Sequence, residues 1–192
     1  MPQSASTNRR FVLAEHTAPN AEPTPAVWKL DTTPVPTAGP NQVLLRTLCL
    51  SLDPYMRVRL NEADSYMPSV KKDEVMVGGT VSRVEVSNHP DYKVGELVHS
   101  YAGWQDYSVS DGSDIIVKLP QGTQIPSWYL GALGMPGFTA WHALMNIGKP
   151  KAGETFVVAA ATGAVGQIIG QLAKAQGCRV VGVAGGKRKC DY

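Results

Sequence analysis

The sequence predicts a β-rich barrel or sandwich up to about residue 126, followed by the start of a parallel α/β domain. Three observations predict it. Up to Pro126 the apolar residues come in short runs, such as Val43-Leu44-Leu45, residues 79 to 86 and Ile115-Ile116-Val117. Clusters of Gly, Pro, Asn and Asp separate these runs, as at 36 to 41, 88 to 91 and 111 to 114, which is the spacing of short strands joined by turns. Beyond residue 150 the pattern becomes strand, amphipathic helix, strand, the signature of one β-α-β unit.

Pro126-Ser127-Trp128 marks the change, with Ser127 placed to cap a short helix. A second helix is expected over 139 to 147, stopped by Gly148 and Pro150. Thr155 to Ala160 reads as a buried parallel strand, and Val165, Ile168, Ile169, Leu172 and Ala173 then recur at helical spacing. Gln176-Gly177 ends that helix, and Arg179 to Ala184 forms a second buried strand. The domains are therefore drawn at 1–126 and 127–192.

With 43% hydrophobic residues, 18% charged residues and a net charge of +2, the composition is that of a globular protein with no electrostatic case for nucleic acid. Cys49, Cys178 and Cys190 are odd in number and form no CxxC pair, so they read as reduced thiols of a cytoplasmic protein. No run approaches the ~20 apolar residues of a membrane span.

Between the strand and helix of the β-α-β unit stands Ala161-Thr162-Gly163-Ala164-Val165-Gly166, the pattern G-x-G-x-x-G with Ala in the first place. Small residues here let backbone approach a pyrophosphate, and the helix N-terminus offers free N–H groups. A tight turn chosen only for packing has the same composition. Its position between a strand and a helix, with a second strand following, favours the nucleotide. After the second strand, Gly185-Gly186 is followed by Lys187-Arg188-Lys189, where an NAD site would need an acid for the ribose hydroxyl. Three cations suit a 2′-phosphate, hence NADPH, and they also fit a solvated basic patch.

Three longer segments, Leu50-Ser51-Leu52-Asp53-Pro54-Tyr55-Met56-Arg57, residues 133 to 140 and residues 160 to 166, resemble the leukotriene B4 dehydrogenase/prostaglandin reductase family of the medium-chain dehydrogenase/reductase superfamily. Within it, Asn8-Arg9-Arg10, residues 76 to 84, 87 to 92, 103 to 107 and 181 to 186 look most like the bacterial curcumin reductase branch. The resemblance covers nearly the whole chain. It implies a GroES-like β domain carrying the substrate cleft, followed by the start of a Rossmann domain. It also implies NADPH-dependent reduction of the C=C bond of α,β-unsaturated ketones and aldehydes, on a small-molecule substrate, by a homodimer when full length. A metal-free site is implied too, because Val77-Gly78-Gly79-Thr80 stands where zinc-dependent relatives place Gly-His-Glu. His16, His89, His99 and His142 have no ligand spacing and are read as surface or packing residues.

The same resemblance implies the site. Tyr55 of the Asp-Pro-Tyr-Met-Arg motif lies beside the substrate in this family, although a core tyrosine also fits the position. Tyr66 is placed at the cleft mouth or simply exposed, and Tyr101 in a substrate-contacting segment. Met135 and Thr139 belong to the segment that the family sets against the nicotinamide. Gly163, Ala164, Val165, Gly166, Gly185 and Lys189 complete the expected cofactor contacts, and no residue is assigned as catalytic. Asp53 and Arg57 are expected to pair, and Trp104, Trp128 and Trp141 to pack the core or a domain interface.

A doubly wound dinucleotide domain has about six strands and needs well over ~100 residues, whereas about 40 follow Pro150. The chain therefore reads as the front part of such a reductase. Two other readings stay open, a truncated inactive remnant or binding module, and a zinc-free quinone reductase.

Overall fold

In the computed structural model, which describes residues 7–63 and 65–192, the alternating runs of the first part become antiparallel strands. β1 (Thr7–Leu13) pairs with β2 (Trp28–Pro34), setting Phe11 opposite Leu30 and Leu13 opposite Trp28. β3 (Val43–Leu50), β4 (Thr80–Ser87), β5 (Leu97–Ser100), β6 (Tyr107–Ser110) and β7 (Ile115–Lys118) form one antiparallel sheet in the order β6-β3-β4-β5-β7. Period-two alternation turns Val43 and Leu45 inward, where they meet Val84 and Val98, all four with no exposed surface. A second cluster, Leu13, Val27, Met56, Leu60, Val70 and Met76, joins the hairpin to the connection between β3 and β4.

The register of β3 against β4 slips twice, at Leu44/Leu45 and at Thr47/Cys49. Such bulges add a residue to one strand and re-aim the chain beyond it. In this sheet the re-aimed stretch is Ser51 to Tyr55. Its Ser51 N–H donates to the Gly79 carbonyl at 2.9 Å before Tyr55–Val58 closes one helical turn, α1. On its other side β3 pairs with β6 only as far as Arg46. Past that point a cavity of about 510 Å³ opens, lined by Phe11, Leu30, Leu48, Leu50 and Trp104, with the Arg9–Asp106 ion pair at its rim.

His99 on β5 is 8% exposed, and burial alone lowers its pKa. Linkage sets the sign of the effect on stability: below about pH 6.5 the unfolded imidazole takes a proton that the folded one resists. Stability should be full above that pH and fall on acidification through it. Thermal melts from pH 7.5 to 5, with His99→Gln as control, are expected to show a slope that the variant loses; equal slopes would refute it.

The chain divides into two compact units between Pro126 and Ser127. In the second, Ser127 caps no α-helix; it lies inside a 3₁₀ turn, Pro126–Leu130. The expected helix over 139 to 147 begins earlier, as α2 (Met135–His142), because Pro136 occupies its first turn, where a missing N–H does no harm. Its last part widens into a π-helical segment, Ala143–Gly148, closed by Lys149 in left-handed conformation at φ 44°. β8 (Thr155–Ala159), α3 (Ala164–Ala175) and β9 (Arg179–Val183) then form the β-α-β unit, with β8 and β9 parallel and Ala159 opposite Val183. Leu144, Ala173 and Cys178 are buried at its centre, with Phe156, Ile169, Leu172 and Val180 packed around them.

The expectation that both strands are buried is corrected. Val157 is 61% and Val183 54% exposed. One helix covers one face of a two-stranded sheet, so alternate residues of each strand remain open among the described residues. A short last helix, α4 (Lys187–Cys190), comes after β9. No described helix is long and apolar enough to cross a membrane.

Candidate functional site

The glycine loop is shaped by one residue that the motif does not single out. Ala160, just past β8, holds a left-handed φ of 50° and turns the chain away from the sheet. Ala161 N–H then donates to the Val183 carbonyl at 3.0 Å, tying the loop to the end of β9, and Gly163 N–H donates to the Ala160 carbonyl at 2.9 Å. That carbonyl points at Gly166. A Cβ on Gly166 would sit 2.3 Å from the Ala160 oxygen and 3.0 Å from Ala161 Cα, so only glycine admits this turn. Gly163 caps α3 with no side-chain hydrogen bond, leaving the first N–H groups, those of Ala164, Val165 and Gly166, without a side-chain cap. An uncapped helix N-terminus behind a closely packed turn is a fitting cradle for a pyrophosphate.

Two further sets of expected cofactor residues lie in the same unit. Thr139 Oγ donates to the Met135 carbonyl at 2.8 Å, so these two residues stand one turn apart on one exposed side of α2. Gly185 and Lys189 lie on the exposed turn and helix beyond β9. Lys187 is engaged by Asp191 at 2.8 Å, while Arg188 and Lys189 make no ion pair among the described residues.

In the first unit Tyr55 opens α1 and packs against the Leu13, Met56 and Met76 cluster, half-buried. The core reading of Tyr55 thus holds in part, since its ring has a core face, while its hydroxyl finds no hydrogen-bond partner among the described residues. Burial pushes the phenol up to about 12, with Tyr101, Asp53 and Tyr66 adding to the shift and Arg59 opposing it. Those influences require proximity. Tyr66 and Tyr101 are 77% and 53% exposed, so the fold gathers one half-buried and two open phenols. None of the three lines the 510 Å³ cavity, which lies beside β3 and carries no titratable group except its rim ion pair.

The family model described as the N-terminal domain of oxidoreductase matches residues 9–117, more than half of the chain. The chain belongs to this oxidoreductase family. It is 58% identical over all 192 residues to the NADPH-dependent curcumin reductase of Escherichia coli K12, covering 55% of that protein. It is 42% identical over 189 residues to prostaglandin reductase 1 of Oryctolagus cuniculus, covering 96% of this chain and 51% of that one. The crystal structure of CurA in complex with NADPH from Vibrio vulnificus superposes with a TM-score of 0.88 at 52% identity, over 96% of this chain and 54% of that chain. The chain spans about half the length of the curated relatives it matches.

Several sequence expectations for this oxidoreductase domain need correcting. Asp53 and Arg57 form no ion pair; the Arg57 guanidinium turns instead to Thr17 Oγ at 3.3 Å and to the Ala21 carbonyl. Trp104 does pack against the core and stacks on Trp28 at 5.9 Å, whereas Trp128 and Trp141, 55% and 46% exposed, are not core residues. A buried hydroxyl group also escaped notice: Thr80, Ser82 and Ser100 have no exposed surface, with Ser82 Oγ donating to Thr80 Oγ at 3.2 Å and Thr80 and Ser100 hydroxyls 3.3 Å apart. Ser and Thr in alternating strands carry no sequence mark that separates inward from outward.

Proposed function

We propose that this chain is the substrate-binding and first nucleotide-binding part of an NADPH-dependent reductase of α,β-unsaturated ketones and aldehydes, metal-free and acting on small molecules. One observation carries the reading. Each segment of this chain assigned to cofactor or substrate lies within the stretch that matches 55% of an NADPH-dependent curcumin reductase at 58% identity.

NADPH, when bound, supplies the hydride that adds to the β-carbon of the enone. The chain's own residues divide the remaining work. Ala164, Val165 and Gly166 offer backbone N–H groups to the pyrophosphate, Gly163 brings its backbone against it as the cap of α3, and Gly166 lets the loop close without a side chain. Gly185 leaves room at the end of β9, and Lys189 meets the 2′-phosphate. Met135 and Thr139 present one side of α2 to the nicotinamide. Tyr55 keeps its proton throughout the physiological range and donates a hydrogen bond to the carbonyl oxygen, on which negative charge grows as the β-carbon is reduced. Tyr66 and Tyr101 flank it and bind the body of the substrate.

The 192 residues alone are not expected to turn over, so the test is consumption of NADPH with a 2-alkenal or curcumin by the full-length reductase that carries them, with the product identified by a gain of two hydrogens at the C=C bond. Tyr55→Phe is expected to lower kcat/KM about tenfold, the worth of one hydrogen bond made in the transition state, with little change in melting temperature. No reduction of any enone or alkenal, or reduction confined to quinones, would refute the function. Unchanged kcat/KM in Tyr55→Phe would refute the role of the phenol alone.

A further inference from the structure

We propose that Arg57 is a positioning residue for Tyr55, acting as a latch that fastens the segment 14–24 across the helical turn from which the phenol projects. The Asp-Pro-Tyr-Met-Arg motif gives its arginine no partner within the motif. Its guanidinium crosses to a segment some forty positions earlier, donating to Thr17 Oγ at 3.3 Å and to the Ala21 carbonyl. Thr17 in turn holds the far end of the same turn, its N–H donating to the Leu60 carbonyl at 2.8 Å and its hydroxyl to the same oxygen at 3.3 Å. A ring nitrogen of His16 meets the Val70 carbonyl at 2.8 Å.

α1 is four residues long and capped by no side chain, and a single turn has no stability of its own. Two kinds of contact hold it. Met56, 5% exposed, anchors it from beneath in the apolar cluster, and the segment 14–24 crosses it from outside through Arg57 and Thr17. Met56 and the core face of the Tyr55 ring fix the depth of the turn from beneath, but neither ties it to the segment that crosses outside. The planar guanidinium, bonded to two points of the crossing segment, supplies that tie. Tyr55 is two residues from Arg57 on this turn, so any rotation of the turn moves its ring out of its half-buried seat.

The inference rests on the placement of Tyr55 in the substrate cleft, and its test avoids catalysis. Tyrosines carrying ¹³C in the ring are followed by NMR through an alkaline titration, with the Tyr55 signal assigned by its loss in Tyr55→Phe. In the unaltered chain Tyr55 is expected to titrate at about 12. Arg57→Met, which keeps the aliphatic stem, is expected to bring it down by about one unit toward the ordinary tyrosine value of about 10 as the ring gains solvent. Thr17→Val removes the same latch from the other side and should shift it in the same direction, which keeps the test open if Arg57→Met does not fold. Leu45→Ala, which loosens the separate cluster under the sheet, should leave Tyr55 where it is. An unchanged Tyr55 in both latch variants, or an equal shift in Leu45→Ala, overturns the latch and leaves the substrate reading standing. An ordinary Tyr55 in the unaltered chain shows that no half-buried seat is held and overturns the latch, while a phenol that titrates at about 10 still keeps its proton for a substrate.

Discussion

Gly166→Ala weakens binding of 2′,5′-ADP, the adenosine half of NADPH, by about a hundredfold or more, while the chain stays folded. The Cβ it adds lies 2.3 Å from the Ala160 oxygen and 3.0 Å from both the Ala160 carbon and Ala161 Cα. All of these are backbone atoms, so no side-chain rotation relieves the clash. The loop has to open, and forced overpacking of this kind costs about 1–3 kcal/mol or more. Opening it swings the Gly163 cap and the first N–H groups of α3 away from the place where they meet a pyrophosphate. At about 1.4 kcal/mol per tenfold, a loss of about 3 kcal/mol is the hundredfold expected. NMR titration with 2′,5′-ADP, beside circular dichroism to confirm that α3 persists, reads both halves of the expectation. Binding equal to that of the unaltered chain would show that the loop is a packing turn and no cradle. The companion change Ala160→Gly works the other way, removing the penalty of about 1–2 kcal/mol for a side chain at φ 50°, and should raise stability without harming binding.

Gly137→Ala separates local propensity from tertiary contact. Gly137 lies inside α2, where glycine costs about 1 kcal/mol relative to alanine, so helix propensity alone predicts a gain. The structure predicts a loss of more than about 3 kcal/mol. An alanine Cβ would stand 1.8 Å from the Ala132 oxygen and 2.5 Å from its carbonyl carbon, because the turn ahead of α2 folds back on the helix and Gly137 N–H donates to the Gly131 carbonyl at 3.0 Å. Accommodating a methyl group there means unwinding the first turn of α2, which carries Met135 and Thr139. In urea titrations followed by helical dichroism, the second unit of Gly137→Ala should unfold at clearly lower denaturant than that of the unaltered chain. A variant as stable as the original, or more so, would mean that the turn yields freely and that the Met-Pro-Gly segment is not held by it.

Features that depend on neighbours along the chain could be read from residue order alone. The β-α-β unit was legible because the helix and strand periods are local, and the glycine loop because it must sit between them. The division near Pro126 was legible as a change of period, and the family as ordered motifs in one chain. Helix ends were less legible: Pro136 moved the start of α2 forward, and a π turn with left-handed Lys149 altered its end.

Features that depend on residues distant in sequence came only with the folded chain. That Tyr66 and Tyr101 come near enough to influence Tyr55 is a matter of the folded chain, since both stand well beyond it in sequence. Arg57 chose Thr17 and Ala21 over the nearer Asp53, since its long side chain follows geometry across the turn and not spacing along it. Val157 and Val183, apolar and read as buried, lie open because a strand's pattern shows that a face can be buried but not whether anything covers it. The left-handed turn at Ala160, on which the nucleotide cradle depends, is likewise set by the Ala160 carbonyl packing on Gly166 and by Ala161 bonding to Val183, contacts that an alanine's own preferences oppose.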